Sequence, residues 1–346
     1  MTSAYEILAQ LKRTASGPMT EARGAEPAFY WNEEVASAEE NAIFRHDWVC
    51  PGLASEIPDV GDYLTFSIAG EPVFSIRDSS GEIKTYANIC RHRMMQLLQG
   101  RGRTSRVTCP YHAWSYNLQG QLVGAGHMNH SVGFDKTKIC LPQIRTEIWN
   151  GWIYITLNPD AQSMKKALAP LNDVVARYGM EHYVAVLNEE HVWQTNWKLL
   201  TENFMEGYHL PVAHKATVGA WFAPNKTVFP DQSYDSFTYQ TFAKTHAARY
   251  GQAHPDNTRL TGEWRNTSIL PTVFPTHMYV LAPDHLWYLS LRPRGVGAVD
   301  VRFGVAIAPE VDAMLTDTAE RAAWIRDLVV FFEHVNGEDR HVVEGI

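Results

Sequence analysis

Two short stretches, Cys90-Arg91-His92 and Cys109-Pro110-Tyr111-His112, decide how the first half of this chain is read. Each gathers one thiol and one imidazole within a few residues, and sixteen residues separate them. Around them run short alternating segments at 63–68, 73–77 and 82–86. Ala69-Gly70-Glu71-Pro72 and Asp78-Ser79-Ser80-Gly81 divide these segments, and both are turn chemistry. Segments 114–117 and 121–123 flank a further turn at Gln119-Gly120. Asn150-Gly151 lies between the apolar runs 148–149 and 152–157, the signal of a two-residue hairpin. The expectation is an all-β domain over residues 40–158, with both Cys-His pairs on loops between strands.

The texture then changes, and Asn158-Pro159-Asp160 marks the boundary. Leu168, Leu171, Val174, Val175 and Tyr178 recur with helical period within 163–178. Strand-like runs follow at 183–187 and 192–194. A helix is expected over 196–208, which Pro211 cannot continue. Further strands are expected at 236–245, 277–281, 286–291 and 299–307. A long helix is expected from 318 to 334, stopped by Asn336-Gly337. The chain therefore reads as α+β, its second domain (159–346) an antiparallel sheet packed by helices. Residues 1–39 are expected to form a helical segment packed on that second domain.

Composition fits this division. A chain of 346 residues has room for two domains, and 45% apolar with 20% charged residues suits ordinary cores. The net charge of −8 argues against a general nucleic-acid binder, which needs a basic face. Four Cys make no disulfide scaffold, so a reducing compartment is expected. No signal-peptide pattern or eighteen-residue apolar run is visible, so a soluble cytoplasmic protein is expected. Fifteen His are the first hint of metal.

Two Cys and two His, one of each per loop, fit a Rieske [2Fe–2S] centre, in which two imidazoles replace two thiolates on one iron. The opposing reading is a structural zinc site, but zinc motifs usually pair Cys with Cys at short spacing. Cys50 and Cys140 have no such companions and are expected to be buried thiols. A second constellation is Glu206-Gly207-Tyr208-His209 followed by His214. Three-residue spacing places Glu206 and His209 on one face of the expected helix, and Pro211 turns the chain so that His214 returns. Two His with one carboxylate form the facial triad of mononuclear iron(II) sites. Spacing leaves open whether Glu206 binds the metal or orients His209 through its other ring nitrogen.

The run Asn196-Trp197-Lys198-x3-Glu202-Asn203-Phe204-x-Glu206-x-Tyr208-His209-x4-His214, downstream of the Cys-His pattern, resembles the oxygenase α subunit of Rieske non-haem iron oxygenases. The resemblance extends from about residue 40 to the end. It implies an N-terminal Rieske [2Fe–2S] domain and a C-terminal helix-grip catalytic domain. Cys90, His92, Cys109 and His112 would hold the cluster. His209, His214 and Asp339 would hold one mononuclear iron(II), Asp339 following the Asn336-Gly337 break. Glu206 would bridge the two metal centres, and Asn203 would share the catalytic site. The family's bridging acid is usually Asp. Glu at this position resembles members acting on quaternary ammonium substrates. The resemblance further implies a homotrimer in which Glu206 meets the neighbouring subunit's His112. It also implies dioxygen, a small organic substrate, and a separate NAD(P)H-dependent flavin and iron–sulfur reductase or ferredoxin. The chain has no dinucleotide fingerprint of its own, since Gly295-Val296-Gly297 lacks the third glycine.

Arg91, Arg93, Arg101, Arg103 and Arg106 crowd the segment around the cluster ligands. They suggest a basic docking patch for an acidic electron donor, against the alternative of internal ion-pair partners. Three rival functions compete with this reading. A carboxylate-bridged di-iron protein would use the second E-x2-H at Glu338–His341, but it needs a helical bundle. A Rieske-type electron carrier would not need the second domain. A zinc interaction module would be colourless, whereas a Rieske protein should be red-brown. The aromatic residues could cage a quaternary ammonium or line a slot for an arene.

Overall fold

The computed structural model describes residues 3–21, 23–128, 130–221, 227–244 and 248–346. The chain divides into two units, Phe44–Ala167 and a second made of Met1–Ile43 with Leu168–Ile346.

The Phe44–Ala167 unit contains a seven-stranded sheet and a three-stranded sheet. Asp62–Ile68 and Glu71–Arg77 form a hairpin across Ala69-Gly70, both at positive φ. Gln143–Trp149 pairs with Trp152–Thr156 across Asn150-Gly151, again both at positive φ, as a type I′ turn requires. Strands Val107–Thr108, Ser115–Tyr116 and Leu122–Gly124 form the small sheet. Phe74, Tyr86, Leu97, Trp114 and Tyr116 share one buried cluster with Cys90 and Cys109.

The second unit is built on a six-stranded antiparallel sheet. Its order is Val184–Trp193, Ala298–Ile307, His285–Arg294, His277–Leu281, Thr267–Val273 and Phe237–Ala243. The two strands expected at 183–187 and 192–194 are one strand, because polar Asn188, Glu189 and Glu190 pair with Gly304, Phe303 and Arg302 without interruption. Thr245, the last residue of the strand expected at 236–245, lies outside the described residues. Of the two thiols expected to be buried, Cys50 is buried but Cys140 is exposed, since it sits in an isolated bridge to Gln121 outside the strands.

Two helix expectations need correction. The first helix covers only Trp197–Phe204, so Glu206 and His209 lie beyond it. The final helix runs unbroken over Thr318–Val343, straight through Asn336-Gly337. One helical glycine costs about 1 kcal/mol. Leu328, Phe332, Val335, Asp339 and Val343 are buried at spacings of three and four, so packing of that face outweighs the cost. Asp317 caps the start by accepting from the backbone N–H of Ala319 and Glu320.

The N-terminal segment is tied to this unit by a buried ion pair. Lys198 Nζ lies 2.6 Å from Glu39 Oε1, and Trp197 Nε1 donates to Glu39 Oε2. Asn196 caps the 197–204 helix through its side-chain oxygen and uses its amide to donate to Tyr30 O. No helix among the described residues is long and apolar enough to cross a membrane.

Gly337 meets open space at the position a Cβ would occupy. Gly337→Ala is therefore expected to stabilise the fold by about 0.5–1 kcal/mol. An upward shift of the urea midpoint at unchanged slope checks this. A downward shift would mean that the glycine serves packing that this geometry does not contain.

Candidate metal centres

The two Cys-His loops have the same backbone construction. The N–H of Cys90 donates to Met95 O, and the N–H of Met94 donates to Cys90 O. In the second loop, Cys109 donates to Trp114 O and Ala113 donates to Cys109 O. The fourth residue after each Cys turns left-handed, with φ 55° at Met94 and 57° at Ala113. Both thiols are thereby buried, while the segments carrying His92 and His112 lie exposed. The rings of His92 and His112 lie 4.7 Å apart, and Trp114 stacks on His92 at 4.8 Å and 9°. Tyr116 places its hydroxyl 3.4 Å from Cys90 Sγ while accepting from the N–H of Arg91. Its phenol pKa is pushed up, first by burial and then by Cys90. Two buried thiols with two imidazoles at an exposed tip make a donor set suited to a Rieske cluster.

The arginines around these loops do not all remain available. Arg101 pairs with buried Glu56 at 2.5 Å, and Arg103 Nε pairs with Asp62 Oδ1 at 2.7 Å and also bonds Asp59. For these two, the ion-pair alternative describes the fold better than a docking patch.

In the other unit the chain leaves the 197–204 helix and turns so that Glu206 accepts from the backbone N–H of Tyr208 and His209. Glu206 Oε1 also bonds His209 Nδ1, so the turn, and not a shared helix face, makes this pair. Pro211 occupies the second position of the short helix Leu210–Ala213, where its missing N–H costs little. His214 follows, its Nδ1 2.8 Å from Glu338 Oε2. The Thr318–Val343 helix supplies both Glu338 and Asp339. Asp339 is thus an interior helical residue, not one that follows a break.

The ring nitrogens left over converge. His214 Nε2 lies 3.0 Å and His209 Nε2 3.6 Å from Asp339 Oδ1. One ligand atom from each of the three residues falls within 4.8 Å of the others. This is the one such group of His, Cys, Asp and Glu among the described residues. Asn203 Nδ2 donates to Asp339 Oδ1 at 2.8 Å and fixes that carboxylate. Carboxylates on both Nδ1 atoms favour the tautomer that leaves Nε2 lone pairs facing inward. Two lone pairs and a carboxylate oxygen aimed at one point suit a cation. Burial alone would depress the His214 pKa, but Asp339 and Glu338 outweigh it and hold that pKa above the usual imidazole value.

A cavity of about 620 Å³, part of it open to solvent, runs alongside this triad. Phe204, Trp287 and Phe332 form an aromatic wall, with ring separations of 5.8 and 5.6 Å about Trp287. Lys244 and His285 also line it. Sequence reasoning missed these two, which carry no motif. It met Glu338 only in the di-iron alternative, where His341 is the partner. Here His214 is the partner instead.

An all-β unit bearing paired Cys-His loops and an α+β unit bearing a two-His, one-carboxylate cluster define the class of oxygenase components that join an iron–sulfur cluster to a mononuclear iron. Residues 47–142 match the Rieske [2Fe-2S] domain, and residues 180–346 match the ring hydroxylating alpha subunit (catalytic domain). The chain belongs to the Rieske non-haem iron oxygenase α subunits, whose cofactors are one [2Fe–2S] cluster and one mononuclear iron. The glycine betaine monooxygenase oxygenase subunit of Chromohalobacter salexigens is 33% identical over 62% of this chain and 49% of its own length. The carnitine monooxygenase oxygenase subunit of Escherichia coli is 33% identical over 54% of this chain and 50% of its own. The chain thus spans about half the length of the curated relatives it matches. Naphthalene 1,2-dioxygenase from Rhodococcus sp. shares the fold with a TM-score of 0.80 at 24% identity, over 100% of this chain and 86% of that one. A quaternary ammonium Rieske monooxygenase in complex with L-carnitine gives 0.75 at 22%, over 92% and 82%.

The Glu338 contact makes a specific prediction. Glu338→Ala should lower iron affinity at the triad by about 10- to 100-fold, the usual effect of losing a carboxylate behind a histidine ligand. The visible spectrum and acid-labile sulfide of the cluster should not change. Iron retained at the wild-type level through chelator dialysis would contradict the orienting role.

Proposed function

We propose that this chain is the terminal oxygenase of a multicomponent system that oxidises a small N-methyl or quaternary ammonium compound. In this reading it hydroxylates or oxidatively demethylates that compound with dioxygen. Electrons come from a separate NAD(P)H-dependent reductase carrying flavin and an iron–sulfur centre, directly or through a ferredoxin. The observation that carries the reading is Glu206 on His209 Nδ1 in a chain similar to glycine betaine, carnitine and choline monooxygenases.

Residues 1–39 serve as a helical segment on the catalytic domain, 40–158 as the Rieske domain and 159–346 as the catalytic domain. Cys90, His92, Cys109 and His112 hold the cluster, and His209, His214 and Asp339 hold the iron. When bound, these groups supply electrons and dioxygen activation. Glu206 and Glu338 keep the Nδ1 protons of the two histidines in place, and Asn203 steadies Asp339. The aromatic wall excludes water and presents π faces to a quaternary ammonium. The protein works as a homotrimer, in which Glu206 bridges His209 and the partner subunit's His112. The half-exposed Glu206 carboxylate and the exposed position of His112 support this. With two of its four cysteines in the cluster set, the chain has no disulfide framework, which supports a cytoplasmic location, close to the reductant.

A panel of quaternary ammonium compounds and arenes, supplied with a surrogate reductase, tests the reading. Dioxygen-dependent oxidation of a quaternary ammonium compound, with formaldehyde released on demethylation, is expected. Diol formation from arenes alone would overturn it. Glu206→Gln should keep both metal centres yet slow reoxidation of the reduced cluster by about 10- to 100-fold in stopped flow. Wild-type rates in a fully assembled variant would remove the bridge.

A further inference from the structure

One histidine of the catalytic cavity is not a metal ligand. His285 opens the strand His285–Arg294 and is buried, yet it lines the cavity that the triad lines. Trp287, two residues on, shares its face of the sheet and lines the same cavity. The His285 ring lies 4.8 Å from that of Phe332, which lies 5.6 Å from Trp287. The imidazole therefore stands at the edge of the aromatic wall. The triad reaches the cavity from the ends of the short helix Leu210–Ala213 and from the Thr318–Val343 helix, whereas His285 reaches it from the sheet.

The surroundings of His285 fix its protons. His285 Nδ1 lies 2.7 Å from Asp284 Oδ1, and both Asp284 oxygens accept from the backbone N–H of Gly251, at 2.9 and 2.8 Å. Burial alone would raise the Asp284 pKa, but His285, Lys244 and the Gly251 N–H outweigh it and hold it below the usual carboxylate value. An ionised carboxylate can only accept, so Nδ1 carries the proton. Burial lowers the His285 pKa, against the pull of Asp284. The neutral ring then keeps a lone pair on Nε2, which has no hydrogen-bond partner among the described residues. Asp284 does not line the cavity and His285 does, so the cavity meets the ring edge away from Asp284, the one that bears Nε2.

A buried acceptor without a donor is costly, so it favours a ligand that brings an N–H or O–H. The π faces beside it favour positive charge. A protonated tertiary amine supplies both on one atom. A fully methylated nitrogen satisfies the π faces and leaves Nε2 without a donor.

We propose that His285 is a specificity-determining residue that accepts from the N–H of the ligand, which makes the preferred substrate class a protonated tertiary amine bearing N-methyl groups and not a quaternary ammonium. The proposal rests on the N-methyl reading given above and chooses within it.

The test is direct binding to the iron-loaded, cluster-bearing protein by calorimetry, with probes in pairs that differ only by N–H against N–CH3. The pairs are N,N-dimethylglycine with glycine betaine, 4-(dimethylamino)butanoate with 4-trimethylammoniobutanoate, and 2-dimethylaminoethanol with choline. In at least one pair the protonated dimethylamine should bind roughly tenfold more tightly than its quaternary partner. His285→Phe, which keeps a ring but no acceptor, should remove that preference and leave the quaternary partner within about twofold of its wild-type affinity. His285→Gln, which restores an acceptor, should recover part of it. Quaternary partners binding as tightly or more tightly in all three pairs overturns the assignment, as does an undiminished preference in His285→Phe. Either result leaves the N-methyl reading standing. Binding confined to choline and 2-dimethylaminoethanol, equal for the two and lost in His285→Phe, gives Nε2 to a hydroxyl and overturns the tertiary amine class. No binding by any probe overturns both the assignment and the N-methyl reading. The wild-type preference decides alone where His285→Phe does not fold.

Discussion

The catalytic unit is organised by a single electrostatic demand: two imidazole lone pairs and one carboxylate oxygen must face the same point. Left to themselves, these groups would turn away or take up protons. Glu206 and Glu338 prevent this by holding the outer nitrogens of His209 and His214. Everything nearby serves these contacts. The Thr318–Val343 helix must remain helical through Gly337, because Glu338 and Asp339 approach His214 from consecutive positions on it. The 197–204 helix must end at Phe204, so that the chain can fold Glu206 back on His209.

The helix before this turn is itself anchored from a distance. Lys198 and Glu39 form a buried pair, and Tyr30 donates to Glu202 at 2.8 Å. Burial lowers the pKa of Lys198 and raises that of Glu202, so both partners are needed to keep these charges inside the fold. The N-terminal segment therefore bears on the cluster of His209, His214 and Asp339 through the helix that carries Asn203. A buried pair discriminates between arrangements because a shifted helix would strand one charge.

Chemistry was more legible in the sequence than geometry. Cys-x-His and Cys-x2-His state their ligands because thiol and imidazole within one tight turn have few other uses. Asn150-Gly151 stated its hairpin because few residue pairs accept two positive φ values. The errors share a cause. Gly337 and the reach of the first helix were judged from local propensity, which tertiary burial overrode in one case and a side-chain-capped turn cut short in the other. Glu338 was visible as a residue, but its role depends on which histidine the fold brings to it. Lys244, Asp284 and His285 meet only when a strand end, a loop and a turn come together. No spacing rule reaches across such elements.

The two units treat charge in opposite ways. In Phe44–Ala167, Arg101 and Arg103 are paired with Glu56, Asp59 and Asp62 on neighbouring strands and loops, so part of the basic run stabilises the fold. Exposed at the loop tips are Arg91 and Arg93 together with Met94, Met95 and Tyr111, beside the two histidines. Such a tip combines charge, which supports long-range steering, with apolar and aromatic surface that sheds water readily on close contact. The catalytic unit instead keeps charge inside, at Lys198, Lys244 and the triad, where each cation or imidazole has a carboxylate nearby. Inside that unit, acceptors gather at the triad, and Lys244 is the one lysine or arginine among the described residues lining the cavity. A ligand that fills such a cavity is oriented by its own charges before any bond to it is broken.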